Sequence, residues 1–394
     1  MSTTTEQTKT ANPATVNPGP PKPPPLPPIL TLQHFLDLEI VAQKSNLEPS
    51  GMVYEGFTLK SKDFAISIIL IDTTGDHYAG IKDTDMYYSG SLVKVAGLYA
   101  AHDLRAEARR HAATQSFADL ATFQGSLDGV VNPTGAIPRL RAMSVGLKPS
   151  LKDIFVGFKP SAPNKVEFHP TYQGHLDNIL HNAGARGFIR PLGYSYINVS
   201  MMRSGFFDPD PAKLNGIWLA GDYSGDLPKA QRLAVERVPV VNDTVPGGSA
   251  QAITTKQMSR LFRLVHATQG FSHVTDAAEK DAANQGTHAV LRTQSSFFSD
   301  SSTFSVPILF GRDCAKVGIG NLGPVDTPGP KIFSEGGVMT WTDTTQKDAF
   351  NSNKSRSFTG EFVLVWQNLY HSGTAWNALA NLVNNSITKF LTQP

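Results

Sequence analysis

A serine and a lysine three residues apart open the apolar stretch SGSLVKVAGLYAA, in which Ser91 precedes Lys94. Positions i and i+3 of a helix lie one turn apart on the same face, so the two side chains can meet. A serine at a helix start also lies near free backbone N–H groups, which stabilise negative charge on its oxygen. A lysine kept neutral by burial can then accept the serine proton. The pair therefore indicates nucleophilic serine chemistry.

The same spacing has a structural interpretation, in which the serine is a helix N-cap and the lysine stem packs along the protein surface. A second copy of the pattern, Ser386-Ile-Thr-Lys389, lies in the segment predicted to be the last helix. We expect that copy to be an exposed helical face. The elements around each copy must decide between the two interpretations.

The elements around Ser91 follow a simple order. TLQHFLDLEIVAQKS is predicted to be a helix from its apolar spacing, and FAISIILID, the turn TTGD and HYAGI predict a β-hairpin. Helical patterns then dominate until about residue 300. Three strands follow, CAKVGIGN, GGVMTWTD and EFVLVWQNL, and TAWNALANLVNNSITKF is predicted to be the closing helix.

This order predicts the fold class α/β (α+β), with a mixed, mainly antiparallel five-stranded sheet flanked by helices. Residues 31–115 and 300–394 are expected to form the sheet lobe, and residues 116–299 an inserted all-helical lobe. The two lobes form one catalytic domain with a ligand cleft between them. Residues 1–30 are polar and then proline-rich, which predicts a disordered arm, with a ligand for SH3 domains as the alternative.

The bulk composition argues against several function classes. The chain has 394 residues, 17% of them charged, and a formal net charge of +2, so nothing favours a nucleic-acid partner. Cys314 is the single cysteine, which excludes an internal disulfide and a multi-cysteine zinc site. No signal peptide is predicted, because the N-terminal segment lacks an apolar core. No run reaches the roughly 20 apolar residues of a membrane span.

Complete motifs for metals and nucleotides are not found. The eleven histidines include no H-E-x-x-H and no tight histidine–aspartate cluster, so neither a metal nor another cofactor is expected. GIGNLG, at residues 318–323, fits G-x-G-x-x-G, but it has neither a following helix nor the lysine–serine pair of a P-loop, which argues against nucleotide binding. No G-x-S-x-G is present, which argues against an ordinary α/β-hydrolase.

A hairpin followed by S-x-x-K at the start of a long apolar helix resembles the penicillin-recognising serine enzymes. These are the class A β-lactamases and penicillin-binding proteins, marked by S-x-x-K, S-D-N and K-T-G. The resemblance spans roughly residues 55–394. It implies an acyl-enzyme on Ser91 with Lys94 as the base, acting on an amide, β-lactam or ester. The implied partner is a small molecule or a peptide, β-lactam or peptidoglycan-like, and family members are usually exported.

The resemblance offers two candidates for the third motif. After the family's K-T-G strand come two more strands and a terminal helix, which is the order after Lys316-Val-Gly318. His371-Ser-Gly373 is followed by the helix alone, so we choose Lys316 and Gly318. Val317 replaces the hydroxyl that normally helps to hold a substrate carboxylate. By resemblance, the backbone N–H groups of Ser91 and Ile319 form the oxyanion hole.

The middle motif also has two candidates. Asn182, in Leu180-His181-Asn182, fits the spacing of S-D-N, although a leucine replaces the serine. Tyr196-Ile-Asn198 restores the hydroxyl but lies in what the resemblance suggests is the next helix. We choose Asn182 and keep Tyr196 and Asn198 as the alternative.

The Glu-x-x-Leu-Asn loop that activates the deacylating water in class A β-lactamases is not found. Asp222 is the nearest acidic candidate, with a surface loop aspartate as the competing interpretation. Slow turnover of the acyl-enzyme is therefore expected. The rival function is a binding protein that keeps the fold and has lost turnover. The 128–168 segment has no counterpart in the family and is a candidate to shape the cleft.

Overall fold

The computed structural model of the chain describes most residues between 30 and 393. The described ranges are 30–48, 53–54, 57–58, 64–73, 75–131, 149–208, 210, 215–220, 237–241, 248–300, 308–321, 331–343, 347–348, 351–355, 358–370 and 372–393. The predicted proline-rich arm lies outside the described residues, apart from Leu30.

Short polar side chains cap several of the helices. Thr31, Thr254, Asp276 and Ser372 each accept a hydrogen bond from a backbone N–H three residues later. Among the described helices, none has both the length and the apolar character needed to cross a membrane. The helices are α1 (Leu32–Leu47), α2 (Lys94–Thr114), α3 (Leu120–Val131), α4 (Leu151–Ile154), α5 (Pro170–Asp177), α6 (Asn182–Leu192), α7 (Tyr194–Arg203), α8 (Thr255–His266), α9 (Ala277–Arg292), α10 (Phe297–Asp300) and α11 (Gly373–Leu391).

The large sheet has five antiparallel strands in the order β11-β12-β15-β3-β4, which confirms the predicted sheet built from both ends of the chain. The strands are β1 (Val53–Tyr54), β2 (Phe57–Thr58), β3 (Ala65–Ile71), β4 (His77–Ile81), β5 (Tyr87–Tyr88), β6 (Phe155–Val156), β7 (Glu167–Phe168), β8 (Phe207–Asp208), β9 (Asn215–Leu219), β10 (Gln251–Ile253), β11 (Ile308–Asn321), β12 (Lys331–Asp343), β13 (Lys347–Asp348), β14 (Asn351–Ser355) and β15 (Phe358–Leu369). The CAKVGIGN strand is thus part of β11, at an edge of this sheet.

Helices cover both faces of the sheet, which explains why its strands are apolar in successive positions. Ala315 and Leu364 pack in the cluster that contains the apolar side chains of α1 and α11. Cys314 and Val365 belong to the other cluster, with residues of α2 and α8. Because neighbouring residues of a strand point to opposite faces, this alternation fixes the face of every side chain between residues 314 and 320.

The inserted lobe is not all-helical, contrary to the prediction. A four-stranded sheet of order β5-β10-β9-β8 and the hairpin β6–β7 lie in or beside it. These strands have two to five residues each, which is too short for apolar alternation to reveal them. The hairpin lies in the 128–168 segment, of which residues 132–148 are outside the described ranges. In addition, α8 packs on β3, β12 and β15, although the prediction assigned it to the helical lobe.

The second S-x-x-K copy lies on a buried face of α11, so its predicted exposure is wrong for the serine. Ser386 is fully buried, and its hydroxyl donates to the carbonyl oxygen of Leu382 at 2.7 Å. Lys389 reaches Glu39 of α1, 2.5 Å away. Because α11 packs on both the sheet and α1, most of its surface is covered, and its serine hydroxyl bonds to the helix itself.

Candidate active site

Ser91 lies in the 3₁₀ turn Gly90–Val93, which joins β5 to the first turn of α2. The turn begins at Gly90 with φ +54°, in the left-handed region that favours glycine. The Lys94 N–H donates to the Ser91 carbonyl, so the two residues are one turn apart. Ser91 is half-buried and does not occupy the N-cap position, which belongs to Ser89. The capped-helix interpretation therefore does not describe this serine.

The edge strand β11 runs directly against the Ser91 turn. A Cβ on Gly318 would stand 2.5 Å from the Ser89 carbonyl oxygen and 2.7 Å from the Leu92 nitrogen, and a Cβ on Gly90 would stand 2.7 Å from the Ile319 carbonyl oxygen. Real Cβ contacts are not that short. Glycine at 318 and at 90 is thus what lets the strand backbone touch the turn.

The backbone of Ile319 points toward the same turn. Its carbonyl oxygen is the atom nearest to a Cβ built on Gly90. In an antiparallel ladder the N–H and the C=O of one residue point to the same side of the strand. The Ile319 N–H therefore also points away from β12, toward the Ser91 turn. This is the orientation that an oxyanion-hole donor needs.

Lys94 is fully buried, and its contacts include two oxygen acceptors. Its Nζ donates to Asn182 Oδ1 at 2.9 Å and to the Leu180 carbonyl oxygen at 3.3 Å. Burial lowers the pKa of Lys94 from its ordinary value of 10.5 to about 8. Asn182 stands at the start of α6, so the helical lobe supplies the acceptor and α2 supplies the amine. The middle motif thus reaches Lys94 through an amide and a main-chain carbonyl.

Lys316 is the second buried lysine at this site. It shares the face of Cys314, the face that looks toward α2 and α8. Its Nζ donates to the Val317 carbonyl oxygen at 2.5 Å. Burial and the positive charge of Lys94 lower the pKa of Lys316 to about 7. The electrostatic effect shows that the two amines lie close enough to repel each other when both are protonated.

The structure thus brings six of the predicted residues together: Ser91, Lys94, Asn182, Lys316, Gly318 and Ile319. Their elements are the 3₁₀ turn, α2, α6 and β11, which come from three distant parts of the chain. The arrangement combines a hydroxyl, a buried amine one turn away, a second buried amine and a backbone N–H at a strand edge. These are the groups that acyl transfer through a serine requires.

The alternative middle motif serves the interior of the helical lobe instead. Tyr196 is buried, and its hydroxyl donates to Asp103 at 3.3 Å. Asn198 is also buried, and its side-chain amide bonds both the N–H and the C=O of Leu219. These bonds join α7 to β9. Neither side chain is aimed at Lys94, so the structure does not bring this pair into the site.

Two predicted positions cannot be placed. Asp222 and His371 both lie outside the described residues, so the deacylation candidate and the rejected third-motif candidate stay predictions.

One contact of the site was not predicted from the sequence. The hydroxyl of Ser334 on β12 donates to the carbonyl oxygen of Ser89 at 2.8 Å, and so ties the sheet to the turn that carries Ser91. No periodic pattern marks this serine, because its role depends on the pairing of Ser334 with Gly318 across the ladder.

Neither a protein-family model nor a curated protein sequence matches the chain. Solved structures with a similar fold include a class A β-lactamase from Bacteroides cellulosilyticus, at 10% identity and TM-score 0.47, covering 92% of this chain and 100% of that one. A β-lactamase from Sphaerobacter thermophilus matches at 10% identity and TM-score 0.42, covering 92% of this chain and 98% of that one. A chromosome-encoded β-lactamase of Vibrio parahaemolyticus matches at 9% identity and TM-score 0.40, covering 92% of this chain and 100% of that one. Likenesses this weak transfer neither residues nor activity, so the chemistry of this chain must follow from its own geometry.

Proposed function

We propose that the chain is a serine acyl-transfer enzyme, with Ser91 as the nucleophile and Lys94 as the general base. The observation that carries the proposal is the buried amine of Lys94, one turn from Ser91, with its pKa lowered to about 8. An ammonium that is fully charged at neutral pH cannot accept a proton, whereas this amine is partly neutral there. The proposed substrates are amides, β-lactams and esters, a choice that follows the family resemblance of the sequence.

In the proposed acylation step the Ser91 Oγ forms a bond to the substrate carbonyl carbon, and its proton moves to Lys94 Nζ. Negative charge collects on the carbonyl oxygen, where the N–H groups of Ser91 and Ile319 stabilise it. The bond from that carbon to the leaving nitrogen or oxygen then breaks, and the proton on Lys94 passes to the leaving atom. Water or an amine attacks the ester on Ser91 in the second half of the reaction.

Asn182 and Lys316 have supporting roles in this proposal. The amide oxygen of Asn182 fixes the position of the Lys94 amine. When protonated, Lys316 supplies positive charge that attracts an anionic substrate group, and the charge of Lys94 in turn helps to lower the pKa of Lys316.

The rival proposal is a binding protein that keeps the cleft and does not turn over. Leu180 favours it, because this position contributes only its carbonyl to Lys94 where the resemblance expects a hydroxyl that relays a proton. Val317 also lacks the expected hydroxyl. By strand alternation its side chain lies on the face opposite to Lys316.

Covalent trapping separates the two proposals. The full chain is incubated with a fluorescent penicillin, and the adduct is followed by gel fluorescence and by intact mass. An acyl-transfer enzyme gains one penicillin per chain at Ser91, and Ser91→Ala loses the adduct. Equal labelling of wild type and Ser91→Ala would show that the assignment of the nucleophile is wrong.

Two controls make the result specific. Ser386→Ala removes the serine of the other S-x-x-K copy and should label like wild type, because that hydroxyl donates to the carbonyl of Leu382 in its own helix. Circular dichroism of each variant establishes that it is folded. A wild type that binds the penicillin reversibly, without a mass increase, would support the binding protein instead.

A further inference from the structure

A second group of chemically active side chains lies on the sheet, away from the Ser91 turn. His266 ends α8, His288 lies in α9 and Asp313 lies in β11. One ligand atom from each of the three lies within 4.8 Å of the other two. All three side chains are partly exposed, at 19%, 17% and 13%, so a small ion can reach the cluster. We propose that His266, His288 and Asp313 bind one Zn²⁺ ion.

The contacts of His266 determine which of its nitrogens can be a ligand. Nε2 lies 3.1 Å from Oε2 of Glu361, a carboxylate that can only accept, so Nε2 carries the proton. Nδ1 then presents a lone pair. This atom is buried, has no hydrogen-bond partner among the described residues, and lies 3.3 Å from Asp313 Oδ2. An unprotonated Nδ1 and the carboxylate Oδ2 are both electron-rich at this distance, and a cation bound to both would remove the repulsion between them.

Asp313 is oriented toward the two histidines by its neighbours. Arg292 donates to Oδ1 from Nε at 2.9 Å and from Nη2 at 2.6 Å, which leaves Oδ2 for the histidine side. Asp313 is also the extra residue of a β-bulge, because the register passes from Arg312 to Cys314 without it. Bulges redirect side chains and recur beside functional sites.

The donor set selects the metal. Two imidazole nitrogens and one carboxylate oxygen suit Zn²⁺, whereas Ca²⁺ and Mg²⁺ take oxygen ligands. Bonds of about 2.0 to 2.1 Å in a tetrahedron place neighbouring ligand atoms about 3.3 Å apart. The distance from His266 Nδ1 to Asp313 Oδ2 already has this value. His288 Nε2 lies 2.5 Å from Oδ2 and would move outward by roughly 0.8 Å on binding. A water molecule would complete the site.

The carboxylate on His266 Nε2 is a recurring feature of zinc sites. A ligating histidine usually donates its other N–H to a carboxylate or carbonyl, which fixes the ring and the tautomer. Glu361 has this position and is therefore a positioning residue. The ion would join α8 and α9 to β11, three residues before Lys316. The cluster was not expected from the sequence, because its members come from three separate elements and share no short motif.

Zinc binding to the purified full chain tests the proposal without reference to activity. The protein is stripped with a chelator and titrated with ZnCl₂ by calorimetry, and Co²⁺ absorption in the visible range reports tetrahedral coordination. Wild type should bind one Zn²⁺ per chain, and its Tm should rise with zinc. His288→Ala should lose at least tenfold in affinity. Glu361→Gln should lose about tenfold to a hundredfold while keeping all three ligands.

His77→Ala is the matched control, because His77 also lies beside an aspartate, Asp72, in a pair to which the described structure adds no third metal ligand. It should bind zinc like wild type. Should His288→Ala fail to fold, the Glu361→Gln titration and the wild-type Co²⁺ spectrum still decide. Binding of no zinc by wild type, or unchanged binding in both His288→Ala and Glu361→Gln, would overturn the proposal.

Discussion

The two buried lysines predict an unusual pH dependence of acylation. With an ordinary pKa of 10.5, about 0.03% of Lys94 would be neutral at pH 7, whereas a pKa of about 8 makes about 9% neutral, a gain of about 300-fold. Lys316 titrates near pH 7 in the same site. The productive form has Lys94 neutral and Lys316 charged, so it carries one proton on the pair. Because the pKa of Lys94, about 8, is higher than that of Lys316, about 7, this form is about a tenth of the singly protonated pair at every pH. The acylation rate should therefore be proportional to the fraction of lysine pairs that carry one proton.

The shape of the profile follows from these two values. Interacting groups titrate as a pair, with apparent pKa values that belong to neither residue alone. With values of about 7 and 8, the singly protonated form peaks at about 60% near pH 7.5 and falls about twentyfold by pH 5.5 and by pH 9.5. The rate should rise from acid pH as the first proton leaves. It should fall again when the second leaves and Lys316 no longer attracts negative charge.

Stopped-flow acylation with a chromogenic β-lactam or ester, between pH 5 and pH 10, measures this profile. Lys316→Arg provides the sharpest comparison, because a guanidinium stays charged over the whole range and should remove the alkaline limb. Lys94→Arg should lose acylation at every pH, since arginine cannot act as the base. A wild-type rate that still climbs at pH 9.5 would refute the reasoning, as would a profile that is the same in Lys316→Arg. Circular dichroism and Tm establish that each variant is folded.

Three further predictions use other residues of the structure. Gly318→Ala should lower the free energy of unfolding by about 1 to 3 kcal/mol and slow acylation, because the new Cβ would push β11 off the Ser91 turn. Gly174→Ala is the control, because a Cβ there meets open space, and it should neither destabilise the fold nor slow acylation. Asn198→Ala should lower the free energy of unfolding, measured by urea denaturation, by about 2 to 4 kcal/mol, because the backbone groups of Leu219 lose their partners. The rate of penicillin labelling per folded molecule should stay unchanged. Lys316→Ala should lower acylation by about a hundredfold or more, and His371→Ala should leave it nearly unchanged, whereas the opposite result would favour His371 as the third motif.

Much of the fold could be predicted because its signals are local. A few adjacent residues were enough to predict the hairpin of β3 and β4, the strands that include CAKVGIGN and EFVLVWQNL, and the helices α1 and α11. A single sheet built from both ends of the chain followed from the order of the elements, whereas the strand order is seen only in the structure. The short strands of the inserted lobe were missed because two to five residues carry too little alternation to be recognised.

The candidate site could be predicted only where a motif supplied the spacing. Ser91 and Lys94 are three residues apart, and Lys316 and Gly318 share one strand. The choice of Asn182 over Asn198 rested on motif spacing and on the resemblance, and only the contacts of the two side chains in the folded chain show where each one lies. Asn182 reaches Lys94, while Asn198 bonds the main chain of Leu219. Which polar side chain meets which partner depends on packing that a linear pattern does not record.

The two S-x-x-K copies show that environment, more than spacing, determines whether a lysine can act as a base. Lys389 is half-exposed, and its amine lies beside the carboxylate of Glu39. Lys94 is enclosed by α2 and α6, and its oxygen acceptors include a neutral amide and a main-chain carbonyl. Burial favours the neutral amine and lowers the pKa of Lys94 to about 8. The same four-residue pattern therefore has different surroundings at its two positions, and the inserted lobe makes the difference because it covers Lys94.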